Sequence, residues 1–257
     1  MERLKRRRVR GSGKPGIGYR EGIYGSYEHA LGGSFPTSIS ALTPRKYHLL
    51  SLIHNHFPAD KNSKILEIGC GHGALIHFAR ESGYMNIEGV DASPGQVNAA
   101  RNMGIMGVRL GDAMTALKKC EKESLDAVVA FDVLEHYTKD EAWELAGEIF
   151  RVLRKDGRWI IHTPNADSPF GIGVRYGDFT HESAYTSNSI SQLVHAVGFT
   201  IVVSHEDPPV VHGLVSAVRR LVWSVIRINM GFIIGVETGN VRQKYILTRN
   251  LIAVALR

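Results

Sequence analysis

Residues 64–79 read KILEIGCGHGALIHFA, a short apolar run followed by three glycines and an amphipathic stretch. Gly69, Gly71 and Gly73 stand where a buried strand would turn into a helix. Glycine at such a turn lets the backbone bend sharply and approach a ligand that a Cβ atom would obstruct. The stretch therefore predicts a strand, a ligand-binding loop and a helix, in that order.

Apolar and amphipathic segments alternate along the chain on both sides of this loop. Strands are expected at 64–69, 86–91, 107–110, 125–131, 158–163, 200–206 and 245–257. Helices are expected at 43–57, with Thr43 as its cap, and at 74–83, 94–104, 139–157 and 189–199. The helices at 74–83, 94–104 and 139–157 are expected to end at glycine. This alternation predicts an α/β fold, with a doubly wound, mostly parallel sheet that binds its ligand outside the carboxyl ends of the strands.

Two ligands are compatible with the glycines alone. With Ala74 and Asp91 the pattern also meets the dinucleotide fingerprint, so NAD competes with a nucleoside that lacks a pyrophosphate. Four acidic residues at the ends of successive strand segments favour the nucleoside, since they would repel a diphosphate and suit a ribose diol, an adenine amine, an ammonium and a sulfonium. These residues are Glu67, Asp91, Asp112 and Asp132. The alternative role of the three aspartates is to cap the helices that follow them.

Five motifs in this order are similar to those of the class I S-adenosylmethionine-dependent methyltransferases, in their small-molecule and sugar branch. The motifs are ILEIGCGHGALI, VDASPGQV, GDAM, LDAVVAFDVLEHY and RVLRKDGRWIIHTPN, within residues 42–199. The resemblance implies a Rossmann-like, seven-stranded sheet with an antiparallel last strand, and S-adenosylmethionine as cofactor. It also implies a set of cofactor-site residues: Glu67, Gly69, Cys70, Gly71, Gly73, Asp91, Ala92, Asp112, Ala113, Asp132 and Val133. Within this set Cys70 is expected only to fill space in the loop.

Methyl transfer needs a correctly placed acceptor and, for a hydroxyl, a base. His136 follows the fourth strand and is one candidate base; its alternative role is to order the loop or hold the edge of the cofactor. The segment 175–186 follows the fifth strand, and the resemblance implies His181 as a base oriented by Asp178 or Glu182. The alternative is that the polar residues of this segment have no catalytic role and that the segment only forms a loop and caps the next helix. No metal site is expected, because the remaining histidine pairs lack a second cluster at ligand spacing.

The net charge of +6 is concentrated at the start of the chain, where six of the first ten residues are basic and one is acidic. Residues 1–40 are expected to form a basic arm and a flexible segment, and residues 41–257 the methyltransferase domain. The arm is either a solvated tail or a contact for anionic lipid or nucleic acid. Nucleic acid is not favoured, because the arm carries no aromatic residue for base stacking. Two unpaired cysteines and the lack of a signal-peptide pattern predict a cytoplasmic protein.

An insert of amphipathic helices is expected at 209–243, before the last strand. Its mixture of apolar residues and arginines suits a helix lying on the inner face of a membrane at 214–236, and the alternatives are a lid or a homodimer interface. The predicted function is O-methylation of a small-molecule, polysaccharide or lipid-linked sugar acceptor. The alternative is a non-catalytic nucleoside-binding module whose helical insert binds a membrane or a partner.

Overall fold

The computed structural model describes residues 19–25, 35–240 and 245–257. Most of the predicted basic arm lies outside these ranges. The described strands are β1 (Ile65–Ile68), β2 (Ile87–Asp91), β3 (Val108–Leu110), β4 (Leu125–Phe131), β5 (Leu153–Pro164), β6 (Ile201–Glu206) and β7 (Asn250–Leu256). The described helices are α1 (Tyr19–Gly25), α2 (Thr43–His56), α3 (Ala74–Glu81), α4 (Pro94–Asn102), α5 (Ala113–Lys119), α6 (Lys139–Val152), α7 (Ile172–Arg175), α8 (Ser187–Ala196) and α9 (Leu214–Thr238).

The seven strands form one sheet in the order β3-β2-β1-β4-β5-β7-β6. The pairs among β1 to β5 are parallel, whereas β7 runs antiparallel to both β5 and β6. The predicted α/β fold with an antiparallel last strand is therefore confirmed. The order of the strands reverses beside β1, so a crevice opens at the carboxyl ends of β1, β2 and β4.

Apolar side chains pack on both faces of the sheet, which explains why the strands are continuously hydrophobic. All four residues of β1 are buried. On one face Leu66 and Ile68 contact the core that includes Leu145 and Ile149 of α6, and on the other face Ile65 packs with the residues of α2 and α3. Helix α6 begins with a capping box between Thr138 and Glu141. These packed layers hold the loops at the carboxyl edge of the sheet.

Three local predictions were wrong. The helix expected at 139–157 ends at Val152, because the fully buried Leu153 is extended and pairs with Leu125 in the sheet. Thr43 is the first residue of α2 and not its cap, since a 3-10 turn at Ile39–Leu42 leads directly into the helix. The N-terminal segment is not loop throughout, because Tyr19–Gly25 is helical.

The insert before the last strand contains a single helix in its described part, α9, and not several. Glu206 at the end of β6 pairs with Leu251 near the start of β7, so both ends of the insert lie at the carboxyl edge of the sheet. By length and composition α9 is one helix that could cross a membrane, and its only buried residues are Ser216 and Gly235.

Candidate active site

The backbone of the loop from β1 to α3 is left-handed at all three glycines, and at two of them a Cβ atom would also collide with neighbouring side chains. Gly69 has φ +64°, and a Cβ atom there would overlap the side chain of Val133. Gly73 has φ +76°, and its Cβ would lie 2.7 Å from Val108 and 3.0 Å from Ile105. Gly73 therefore shapes the turn by packing against the protein, while Gly69 keeps the loop close to the residues that follow β4.

A cavity of about 470 Å³ opens beside this loop at the carboxyl ends of the strands. Ten of the eleven predicted cofactor-site residues line it, and Gly73 does not. Those ten are Glu67, Gly69, Cys70, Gly71, Asp91, Ala92, Asp112, Ala113, Asp132 and Val133. Of the four predicted catalytic residues, only His136 lines the cavity. The topology thus brings the strand-end carboxylates together around one space, as the parallel sheet predicts.

Asp91 at the end of β2 holds the glycine loop. Its Oδ2 accepts a hydrogen bond from the Gly71 amide at 2.8 Å, and its Oδ1 accepts one from the Ser93 amide at 2.8 Å. Asp91 is not the cap of α4, because that role belongs to Ser93. A carboxylate oxygen can accept more than one hydrogen bond, so Asp91 also has the capacity to accept from a vicinal diol.

Asp112 fits both roles considered for it. It is the N-cap of α5, where its Oδ1 accepts from the Thr115 amide at 2.8 Å, and it also lines the cavity. Asp132 is not a helix cap; it has φ +55° and lines the cavity beside His162.

Glu67 is the buried carboxyl group of the cavity. Its side chain is 3% exposed, and Oε2 has no hydrogen-bond partner among the described residues. Burial raises the pKa of Glu67 to about 8, opposed by the guanidinium of Arg45 and assisted by Asp91. Burial and these carboxylates also raise the pKa of the Cys70 thiol, which is consistent with the space-filling role predicted for it. A buried carboxylate with an unused oxygen suits an ammonium group of a ligand.

A chain of charged groups behind the cavity was not predicted. His162 on β5 is 2% exposed; its Nδ1 lies 2.6 Å from Asp132 and its Nε2 lies 3.2 Å from Asp207. His48 also contacts Asp207, at 2.7 Å. Burial alone would lower the pKa of His162, but the two carboxylates raise it to about 10. Burial opposes ionisation of Asp132, yet His162 lowers its pKa, so both groups are charged at neutral pH.

His136 is oriented by a short hydrogen-bonded chain. Its Nδ1 lies 2.8 Å from the Thr180 hydroxyl, and that hydroxyl donates to Asp178 Oδ1 at 2.7 Å. Because the hydroxyl has one proton and gives it to Asp178, Nδ1 of His136 must donate, and the ring's lone pair is on Nε2. Burial and the neighbouring His181 lower the pKa of His136, which keeps the imidazole neutral. Asp178 is thus brought to His136 through Thr180.

The other two predicted catalytic residues lie close to this group. The rings of His136 and His181 are 4.8 Å apart between centroids. Glu182 points to Arg20 of α1, with 3.2 Å between Arg20 Nη2 and Glu182 Oε1. Arg20 also contacts both carboxylate oxygens of Glu141 at 2.9 Å. Glu182 therefore anchors α1 at the rim of the cavity and does not orient His181.

Several cavity residues escaped the sequence analysis. Arg45 and Leu49 of α2 line the cavity, and the guanidinium of Arg45 lies 5.2 Å from the ring centroid of Phe131. Arg45, His48 and Leu49 share one helical face, so polar residues on the inward face of α2 were the available signal. The sequence offered no such pattern for Arg20, which also lines the cavity, or for His162 behind it, because their partners are far away in the chain.

A family model described as a methyltransferase domain matches residues 43–204. The chain belongs to this methyltransferase family. The predictions of a class I S-adenosylmethionine-dependent methyltransferase and of S-adenosylmethionine as cofactor are confirmed at this level. The cavity fits that cofactor, because it presents at Glu67 a buried carboxyl whose Oε2 has no partner in the described part of the chain, and a second carboxylate, Asp91, at the glycine loop.

Solved structures of methyltransferases share the fold of this methyltransferase. A S-adenosylmethionine-dependent methyltransferase from Archaeoglobus fulgidus matches with TM-score 0.61 and 19% identity, covering 91% of this chain and 99% of that one. Phosphoethanolamine N-methyltransferase 2 of Haemonchus contortus, in complex with S-adenosylmethionine, matches with TM-score 0.61 and 17% identity over 95% of this chain and 61% of that one. A putative O-methyltransferase from Nostoc punctiforme matches with TM-score 0.58 and 16% identity, over 92% of this chain and 61% of that one.

Proposed function

We propose that this methyltransferase transfers a methyl group to a hydroxyl oxygen of a small-molecule, polysaccharide or lipid-linked sugar acceptor. The observation that carries the proposal is the orientation of His136 at the wall of the cavity, with its lone pair on Nε2. A neutral imidazole in this tautomer accepts a hydrogen bond or a proton from a hydroxyl. An already nucleophilic amine acceptor would have less need of such a group.

The cofactor side of the cavity is formed by the strand-end carboxylates. S-adenosylmethionine supplies an electrophilic methyl group when bound. Glu67 would accept from its ammonium group and Asp91 from its ribose hydroxyls. Asp112 and Ala113 would border the adenine, and Asp132 with Val133 would lie along the methionine. Each assignment is what the resemblance to the class I methyltransferases implies, and the position of these residues on the cavity wall supports it.

The acceptor side is formed by the 3-10 turn after β4 and the loop after β5. Thr180 and Asp178 fix the tautomer of His136, and His181 packs against its ring. In this proposal His136 receives the proton of the acceptor hydroxyl, while Asp178 is a positioning residue that acts through Thr180. Glu182 contributes indirectly, since its ion pair with Arg20 keeps α1 beside the cavity.

Calorimetry separates this function from a non-catalytic binding module. The wild type is titrated with S-adenosylmethionine and with NAD. Asp91→Ala is expected to lower the affinity for S-adenosylmethionine only. His136→Ala is then expected to keep that isotherm and to lose methyl transfer to an oxygen acceptor by about 100-fold or more. Unchanged transfer by His136→Ala would refute its role as base. Binding of NAD in place of S-adenosylmethionine would refute the cofactor assignment.

The outer face of α9 favours a membrane contact as part of this function. Its apolar side chains are turned to solvent, whereas Ser216, Trp223 and the Arg227 ion pair to Glu206 face the domain. The exposed apolar residues are Leu214, Val215, Val218, Leu221, Val222, Val225, Ile226, Ile228, Phe232, Ile233 and Val236. The contacts of the inner face hold the helix along the domain, so we propose that it lies on a bilayer surface and does not cross it.

Charge and position argue for an anionic bilayer on the inner face of a membrane. The helix carries Arg219, Arg220 and Arg227 against a single acid, Glu237. It lies at the carboxyl edge of the sheet, and Trp223 contacts Phe170 of the loop after β5. A lipid-linked acceptor would therefore reach the cavity from the same side.

Flotation of the full chain with vesicles containing phosphatidylglycerol tests the contact of α9 with the bilayer, and Phe232→Glu with Ile233→Glu should abolish it. A stable dimer that stays at the bottom of the gradient would assign the face to a second copy.

A further inference from the structure

Glu135, His136 and His181 form a compact group beside the cavity. One ligand atom from each residue lies within 4.8 Å of the other two. Glu135 and His136 belong to the 3-10 turn after β4, and His181 comes from the loop after β5. The amides of Glu182 and Ser183 both donate to the Glu135 carbonyl, at 2.9 and 3.0 Å. The loop and the turn are thus fastened together by backbone hydrogen bonds.

The tautomers of both imidazoles place a lone pair on Nε2. Nδ1 of His136 donates to the Thr180 hydroxyl, as shown above. Nδ1 of His181 lies 2.9 Å from the carbonyl oxygen of Arg175, which can only accept, so this nitrogen also carries a proton. Histidines that bind metals in proteins nearly always donate their other ring N–H to a carbonyl, a carboxylate or another acceptor in this manner.

The carboxylate of the group is held in the interior. Glu135 is 1% exposed, and Oε2 accepts a hydrogen bond from the Thr163 hydroxyl at 3.0 Å. A buried carboxylate needs a positive partner or a proton to offset its desolvation. Two imidazole nitrogens and one oriented carboxylate are the donors that borderline first-row divalent cations prefer, whereas Mg²⁺ and Ca²⁺ prefer oxygen alone.

We propose that Glu135, His136 and His181 bind one divalent transition-metal cation, of the Zn²⁺, Co²⁺ or Mn²⁺ class, at the acceptor side of the cavity. This replaces the prediction that the chain has no metal site. With bond lengths of about 2.0–2.1 Å, ligand atoms around a tetrahedral cation are about 3.4 Å apart. The ligand atoms, which lie within 4.8 Å of one another, must therefore close by up to about 1.4 Å when the cation binds.

The site deepens the proposed O-methyl transfer and rests on it for its role. Because His136 lines the cavity, a cation bound by its ring would lie beside the space that the acceptor occupies in the proposed function. An acceptor hydroxyl bound there loses its proton to water more readily, and its oxygen keeps the electron pair that forms the new bond to carbon. The cation then takes over the task given above to His136 as a base.

The test uses full-length protein without a histidine tag, freed of metal with EDTA and dialysed. CoCl₂ is added while the visible absorption of Co²⁺ is followed, and ZnCl₂ binding is measured by calorimetry. We expect one equivalent to bind, and His181→Ala to weaken binding at least tenfold while keeping the S-adenosylmethionine isotherm. His54→Ala, which removes an exposed histidine of α2, is the matched control and should bind like the wild type.

A second variant keeps all three ligands and changes only their support. Thr180→Val removes the nearer acceptor of the His136 N–H, the hydroxyl at 2.8 Å, but leaves the Thr180 carbonyl oxygen at 3.3 Å, and should weaken binding about 10-fold. No binding by the wild type, or equal binding by His181→Ala, overturns the site. Full methyl transfer by metal-free protein also overturns it but supports the proposed function. Binding of one cation without transfer to any hydroxyl acceptor supports the site and counts against O-methylation.

Discussion

Glu67→Gln should stabilise the protein without ligand at alkaline pH. The carboxyl is buried, and burial raises its pKa from an ordinary 4.5 to about 8. A carboxyl with a raised pKa in the folded state favours folding while it stays protonated, and this advantage is lost as the pH rises. Stability is therefore lost between pH 4.5 and pH 8, because the unfolded chain ionises first.

The size of the effect follows from the two pKa values. Each unit of difference corresponds to about 1.36 kcal/mol. The raised pKa of Glu67 therefore lowers the unfolding free energy by about 1 kcal/mol at pH 5 and by about 4–5 kcal/mol at pH 8.5. Glutamine has the same shape and no charge. The gain in unfolding free energy from Glu67→Gln should thus be about 4 kcal/mol greater at pH 8.5 than at pH 5. Any hydrogen-bonding group that the buried glutamine amide leaves without a partner lowers the unfolding free energy equally at pH 5 and pH 8.5 and leaves the difference between them unchanged.

Urea denaturation followed by tryptophan fluorescence measures the effect, since Trp159 is fully buried. The matched control is Glu121→Gln, at an exposed position, which should give the same small change at both values of pH. Saturating S-adenosylmethionine should remove most of the gain, because its ammonium stabilises the ionised Glu67. An equal effect of Glu67→Gln at pH 5 and pH 8.5 would refute the account of this residue.

Three further predictions concern other parts of the site. Gly69→Ala should lower the unfolding free energy by about 2–4 kcal/mol in urea titrations, since it combines a left-handed backbone with an overlap at Val133; a loss below 0.5 kcal/mol would contradict the packing. Asp207→Asn should cost about 3 kcal/mol and lower the pKa of His162 seen by NMR, because it removes one partner of a buried cation; an unchanged His162 titration would exclude the ion pair. Arg20→Ala should speed hydrogen exchange in Tyr19–Gly25 with little change in global stability; unchanged exchange would show that other contacts hold α1.

The sequence by itself determined the order of strands and helices, the sharp glycine turn after the first strand and the carboxylates that line the cavity. These features could be predicted because they depend on local spacing and because parallel strands bring their carboxyl ends to one edge. Boundaries failed where packing overrode local preference, as at Leu153, whose buried side chain joins the sheet although the preceding pattern is helical.

Only the tertiary structure decided the contacts between distant residues. Arg20 meets Glu141 across 121 positions, and His162 meets Asp132 and Asp207 across 30 and 45. His181 joins His136 because two loops from neighbouring strands are fastened by backbone hydrogen bonds. Periodicity carries no information about which side chains meet at such distances, since that depends on how the packed layers place the loops. The contacts around His136, unlike the positions of the strand-end carboxylates, are therefore a property of the fold.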